Sequence, residues 1–148
     1  MKTIGVIPAR MAASRFPGKP LSKIHGKTMI EHVYQRANLY KNWDHLVVAT
    51  CDEEKKTFSD NKTFPDVMTG DHHTRALDRV AEAIEKLSGA EDNDIIICVQ
   101  GDEPMMRPDM IDAVVAPLLA DDSIPCTVLA MHVTDNELWL NPDTVKII

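Results

Sequence analysis

The sequence predicts an α/β protein built on a mostly parallel sheet. Three observations carry that expectation. The apolar runs around Ile4–Ile7, Leu46–Ala49 and Ile95–Val99 are continuous rather than alternating, as in strands buried on both faces. Segments of helical periodicity separate them, and 148 residues suffice for one domain with its own core.

In chain order, residues 2–8 hold Ile4, Val6 and Ile7 before Pro8 and read as a buried strand. Residues 9–26 are small and basic, punctuated by Pro17, Gly18, Pro20 and Gly26. A loop this long inside a compact domain is usually functional or disordered. Residues 29–39 place Ile30, Val33, Tyr34 and Ala37 at helical spacing, and Leu46–Thr50 form a second buried strand. Asp52-Glu53-Glu54 reads as the start of a short helix, since acids in a first turn complement the helix dipole. Residues 64–68 are a weak third strand. Residues 74–87 form an amphipathic helix on Leu77, Val80, Ala81, Ile84 and Leu87, ending near Gly89. Residues 95–99 are the clearest central strand, broken sharply by Gly101-Asp102-Glu103-Pro104. Pro108 opens a helix through Leu118. Residues 126–133 are expected to be a strand, 136–140 a short helical or turn segment, and Val145-Lys146-Ile147-Ile148 has strand composition. A chain that stops on such a run reads as a fold cut short.

Charge excludes some functions and localises another. The net charge of −7 argues against a nucleic-acid binder, which needs broad positive surface. No apolar run approaches the roughly 20 residues of a membrane span, and the N-terminus is too strand-like for a signal peptide. Cys51, Cys98 and Cys126 are odd in number, widely spaced and without zinc-ligand spacing, as expected of reduced thiols in a cytoplasmic chain. Residues 1–30 hold Lys2, Arg10, Arg15, Lys19, Lys23 and Lys27 and no acid, whereas the rest of the chain is strongly acidic. A positive island of this kind points to a localised anion site.

In parallel-sheet folds ligands sit at the carboxyl ends of the strands. Two unusual segments fall there: Pro8–Pro20 after the first strand and Gln100–Pro104 after the central one. The first is not a Walker A loop. Gly26-Lys27-Thr28 imitates its end, but Leu21 stands where the first glycine belongs, and G-x-G-x-x-G is also absent. The segment instead offers small residues beside Arg10, Arg15 and Lys19, charges able to converge on a triphosphate. Opposite such a loop Asp102 becomes a natural Mg²⁺ ligand, with Glu103 pointing elsewhere; the alternative is a turn that Asp102 merely caps. Asp71-His72-His73 has the composition of a metal cluster, yet nothing at familiar spacing completes a ligand set. A helix cap by Asp71 or Thr74 is the expectation there.

Taken together, Ile4-Gly5-Val6-Ile7-Pro8-Ala9-Arg10 and Ser14-Arg15-Phe16-Pro17-Gly18-Lys19-Pro20-Leu21 resemble the 3-deoxy-manno-octulosonate (KDO) cytidylyltransferase family. Met29–Tyr34, Val48–Asp52, Asp78-Arg79-Val80-Ala81-Glu82, Val99–Pro104 and Asn141-Pro142 extend the resemblance over essentially the whole chain. It implies a Rossmann-like nucleotide-diphospho-sugar transferase fold, with residues 1–148 as the nucleotide-binding portion and a C-terminal sugar-acid and dimerisation portion missing. It further implies a Mg²⁺-dependent cytoplasmic enzyme, homodimeric at full length, which transfers CMP from CTP to an eight-carbon sugar acid for lipopolysaccharide assembly. By position, Arg10, Lys19 and Asp102 would be catalytic and Asp102 would hold the metal. Pro8, Ala9, Arg10, Arg15, Lys19, His73, Asp78, Arg79 and Gln100 would meet the nucleotide. One departure matters: Arg75, Ala76 and Leu77 replace a Ser-Gly-Thr of the family, which leaves room for an amino-substituted octulosonate. A binding fragment without catalysis, and transfer to another acceptor such as a nonulosonic acid, are the competing readings.

Overall fold

The computed structural model describes residues 1–12, 16–52 and 64–147. They fall into two compact units, Met1–Ile111 and Asp112–Ile148. In the first, a four-stranded sheet is formed by β1 (Thr3–Ala9), β4 (His45–Thr50), β5 (Asp66–Met68) and β6 (Ile95–Cys98). Their order is β5-β4-β1-β6, and every pairing is parallel. Numbered as four successive parallel strands, this is the 3-2-1-4 arrangement of a doubly wound sheet. The chain winds outward from β1 through β4 to β5, then crosses to the other side of β1 for β6. The order reverses between β1 and β6, so a crevice opens at their carboxyl ends.

The continuous apolar runs are explained by what covers each face. Ile7 and Ala9 of β1 and Leu46 and Val48 of β4 pack with Ile30, Val33 and Ala37 of α1 (Met29–Ala37). Ile4 and Val6 of β1 and Val47 and Ala49 of β4 pack with Val80 and Ala83 of α2 (Ala76–Lys86). Successive strand side chains point to opposite faces, so a strand covered on both sides must be apolar at every position.

Helix α1 starts where local chemistry dictates. Thr28 Oγ1 accepts from the Glu31 N–H at 3.3 Å and Glu31 returns a carboxylate oxygen to the Thr28 N–H at 2.8 Å. Two otherwise unpaired helix donors are thereby satisfied. Just before it, β2 (Lys23–Ile24) and β3 (Lys27–Thr28) form a small antiparallel hairpin. Its two-residue turn has positive φ at both His25 (47°) and Gly26 (82°), the primed geometry that suits the twist of paired strands.

Helix α3 (Pro108–Ala120) runs across the boundary between the units. In the second unit α4 (Asn136–Leu140) is capped by Asp135, whose side chain accepts from the Glu137 N–H. The strands expected over 126–133 and at 145–148 are not observed: residues 126–133 and 145–147 are irregular, and Ile148 lies outside the described residues. Val128, Met131 and Val145 are exposed. Apolar β-branched composition favours a strand only where a neighbour pairs with its backbone, and among the described residues none does. The helix expected from Asp52-Glu53-Glu54 also lies outside the described residues beyond Asp52. The expected α2 cap is corrected too. Its N-cap is Arg75, without a side-chain cap, and neither Asp71 nor Thr74 fills that role.

Candidate active site

The crevice at the reversal point is a cleft of about 320 Å³, lined by residues 8–10, 19–20, 73–76, 79 and 100–102. Four chain segments are brought there by specific local contacts. After β1, the Gly18 N–H donates to the Met11 carbonyl at 3.0 Å, closing the loop at its base. Gly18 has φ of 75°, a left-handed conformation that glycine adopts without strain, and it leads into the 3₁₀ turn Lys19–Leu21. That turn fixes the backbone carrying Lys19.

After β6 the chain folds into a tight turn, the Glu103 N–H donating to the Gln100 carbonyl at 3.1 Å. Gly101 and Asp102 are its central residues. A Cβ at Gly101 would stand 2.4 Å from the Pro8 carbonyl oxygen, so the two strand ends meet backbone to backbone only because this residue is glycine. Arg36 of α1 donates to the Met106 carbonyl at 2.8 Å and holds the far side of the same loop.

The two strand-end segments therefore touch. Lys19 Nζ lies 2.7 Å from Asp102 Oδ2, forming an ion pair at the mouth of the cleft. Arg10 donates to the His73 carbonyl at 3.3 Å, tying the β1 end to the segment before α2. Arg79 is buried, at 2% exposure; one of its terminal nitrogens donates to Thr69 Oγ1 and the Gly70 carbonyl. The other, Nη2, is buried without a partner among the described residues.

Of the residues singled out from sequence, Pro8, Ala9, Arg10, Lys19, His73, Arg79, Gln100 and Asp102 line this one cleft. Asp78 is exposed and lies outside the lining, and Arg15 lies outside the described residues. The structure adds Pro20, Thr74, Arg75, Ala76 and Gly101. Arg75 and Ala76 were visible only as departures from the family pattern, whereas Leu77 is 65% exposed and takes no part.

His73 has a partner that spacing did not reveal. Its Nε2 bonds to the Glu82 carboxylate on α2. The Lys86 ammonium, then the Gly70 N–H and the His73 ring, hold the Glu82 carboxyl down to about 2. His72 lies alongside, its ring centroid 4.1 Å from that of His73. No ligand at familiar spacing was expected around Asp71-His72-His73; the structure brings Glu82, nine residues beyond His73, beside the two histidines, without Asp71. The cysteines are free, and burial pushes the Cys98 thiol up. No described helix is long and apolar enough to cross a membrane.

A doubly wound sheet with cations and one carboxylate gathered at its reversal point defines an α/β protein with a cation-lined cleft at its strand ends. Comparison narrows the class. A family model described as cytidylyltransferase matches residues 4–148, and the chain belongs to that family. It is 43% identical over 144 residues to the 3-deoxy-manno-octulosonate cytidylyltransferase of Nitratidesulfovibrio vulgaris, covering 97% of this chain and 56% of that protein. The corresponding protein of Solibacter usitatus is 39% identical over 147 residues, covering 99% and 57%. A solved CMP:2-keto-3-deoxy-manno-octonic acid synthetase complexed with CTP superposes with a TM-score of 0.76 at 38% identity, over 84% of this chain and 50% of that one. The chain thus spans little more than half the length of the curated relatives it matches.

Proposed function

We propose that this chain is the nucleotide-binding part of a cytidylyltransferase that transfers CMP from CTP to KDO or a close analogue such as its 8-amino form and releases pyrophosphate, the CMP-sugar serving lipopolysaccharide assembly. The observation that carries this reading is the meeting of Lys19 and Asp102 at 2.7 Å, with Arg10 beside them, at the carboxyl ends of β1 and β6. Curated relatives named 3-deoxy-manno-octulosonate cytidylyltransferase, and a neighbour solved with CTP, support cytidylyl transfer.

In the proposed reaction a hydroxyl oxygen of the sugar acid forms a bond to the α-phosphorus. The bond to the bridging oxygen of the β-phosphate breaks opposite it, and the hydroxyl proton is released. Both reactants are anions, so the chain's first task is to cancel repulsion. Lys19, as a movable point charge, and Arg10, as a forked donor, would neutralise phosphate oxygens as charge builds on them. Arg79, which lines the same cleft, would add a further positive charge. Asp102 fits a magnesium ion, for its carboxylate is half exposed and faces the cleft, and one carboxylate completed by phosphate oxygens is a donor set Mg²⁺ accepts. When bound, the ion would lower the charge on the triphosphate and orient it. Lys19 then has to exchange Asp102 for phosphate, a shift its flexible stem permits.

The test combines calorimetric titration of CTP in Mg²⁺ with a pyrophosphate-release assay on adding KDO. CTP binding followed by release supports transfer. Binding without release supports the alternative of a non-catalytic binding module, and selective binding of UTP or GTP would overturn the cytidylyl reading. Release with a nonulosonic acid in place of KDO would move the acceptor, not the chemistry. Cytoplasmic location and a homodimer in the complete protein belong to the same proposal.

A further inference from the structure

We propose that His72, His73 and Glu82 form a binding site for a divalent transition-metal ion of the zinc class, distinct from the Asp102 carboxylate. One ligand atom from each residue lies within 4.8 Å of the other two. Ligands on a tetrahedral zinc ion at about 2.0–2.1 Å stand roughly 3.4 Å apart, so side-chain rotations of about an ångström close the set.

The surroundings are those of a supported site. The Gly70 N–H donates to both Glu82 oxygens, at 2.9 and 3.1 Å, and Lys86 holds Oε1 at 2.5 Å. Oε2 is left facing His73. Hydrogen bonds of this kind orient a ligating carboxylate from outside the coordination shell. A Cβ at Gly70 would lie 2.4 Å from the His72 ring, so the imidazole rests on a bare Cα and approaches Glu82 only because residue 70 is glycine. The hydrogen bond between His73 Nε2 and Glu82 gives way when an ion takes its place. Two imidazoles and one carboxylate suit zinc, cobalt or nickel and not magnesium, which prefers oxygen donors. With three protein ligands a fourth position remains for water. The His73 carbonyl accepts from Arg10 at the cleft, so an ion here would pin the 70–73 turn to α2 at the cleft wall.

The experiment titrates the chelator-treated 148-residue chain with Zn²⁺ by calorimetry, and with Co²⁺ by absorption, beside His72→Ala and Glu82→Gln. His72 is exposed, so its removal leaves the fold intact, which circular dichroism verifies. The expected result is one equivalent of Zn²⁺ in the low micromolar range or tighter, weakened about tenfold or more in each variant. Millimolar Mg²⁺ should not compete, and Co²⁺ should show visible bands without thiolate charge transfer. Absence of saturable binding, wild-type affinity in His72→Ala, thiolate bands from the cysteines, or displacement by Mg²⁺ would each overturn the site. None of these readouts depends on nucleotide transfer.

Discussion

Replacing Lys19 by Met removes one cation from the cleft while keeping most of the side-chain length. Its effects on stability and on nucleotide binding should differ widely. The Lys19 and Asp102 side chains are 36% and 50% exposed. Ion pairs as open as this contribute about 0–1 kcal/mol, so the melting temperature should move by no more than a few degrees. A hydrogen bond from an ammonium to a charged acceptor contributes about 1.5–3 kcal/mol, which corresponds to roughly 10- to 150-fold in dissociation constant. Two opposing corrections apply. Lys19 gives up Asp102 to reach the ligand, which lowers the figure. Without Lys19 the bare Asp102 carboxylate repels phosphate, which raises it. A loss of CTP affinity of about 10- to 100-fold is therefore expected by calorimetry in Mg²⁺. Affinity within threefold of wild type, with the fold intact, would refute the assignment of Lys19 to the phosphates. A large fall in melting temperature would instead make Lys19 structural.

Other positions are tested through the fold. Gly101→Ala drives a Cβ against the Pro8 carbonyl at 2.4 Å, a backbone atom that cannot swing away. About 1–3 kcal/mol of destabilisation by urea unfolding, together with weaker CTP binding, is expected. Thr28→Ala removes the α1 cap and should cost about 1 kcal/mol, read as a drop of a few degrees in melting temperature without loss of nucleotide affinity. Asp94 accepts hydrogen bonds from the Lys2 and Glu91 N–H groups, which hold its carboxyl below the usual carboxylate range. Its contribution is present above the ordinary carboxylate value and lost as pH falls through the lowered one. Asp94→Asn should therefore be less stable than wild type at pH 7, and the gap should narrow below about pH 4. A gap unchanged with pH would show that the carboxylate charge does not matter.

Much of this architecture is legible in the residues because its cause is local. β1 and β4 are continuously apolar since both faces are covered, and that pattern needs no partner to be read. The placement of the Pro8 and Gln100 segments at strand ends follows from the same pattern, and the doubly wound order then brings them together. What was not legible depends on pairing across the chain. Residues 126–133 have strand composition, but composition supplies no neighbour for the backbone to bond. The Glu82–His73 contact joins a loop to the second turn of α2, and nothing in nine-residue spacing announces it. The α2 start is not legible either, since its N-cap is Arg75, which makes no side-chain cap bond that residue type could announce. Gly101 stood in plain view within a turn motif. Only coordinates show that its missing Cβ is what lets two strand ends meet.

The central claim is where the nucleotide sits, and amide chemical shifts followed during CTP titration in Mg²⁺ test it most directly. The account predicts the largest changes at Ala9, Arg10, Lys19, Gly101 and Asp102, at the carboxyl ends of β1 and β6. Saturating changes confined to another face of the sheet, with these amides still, would contradict it.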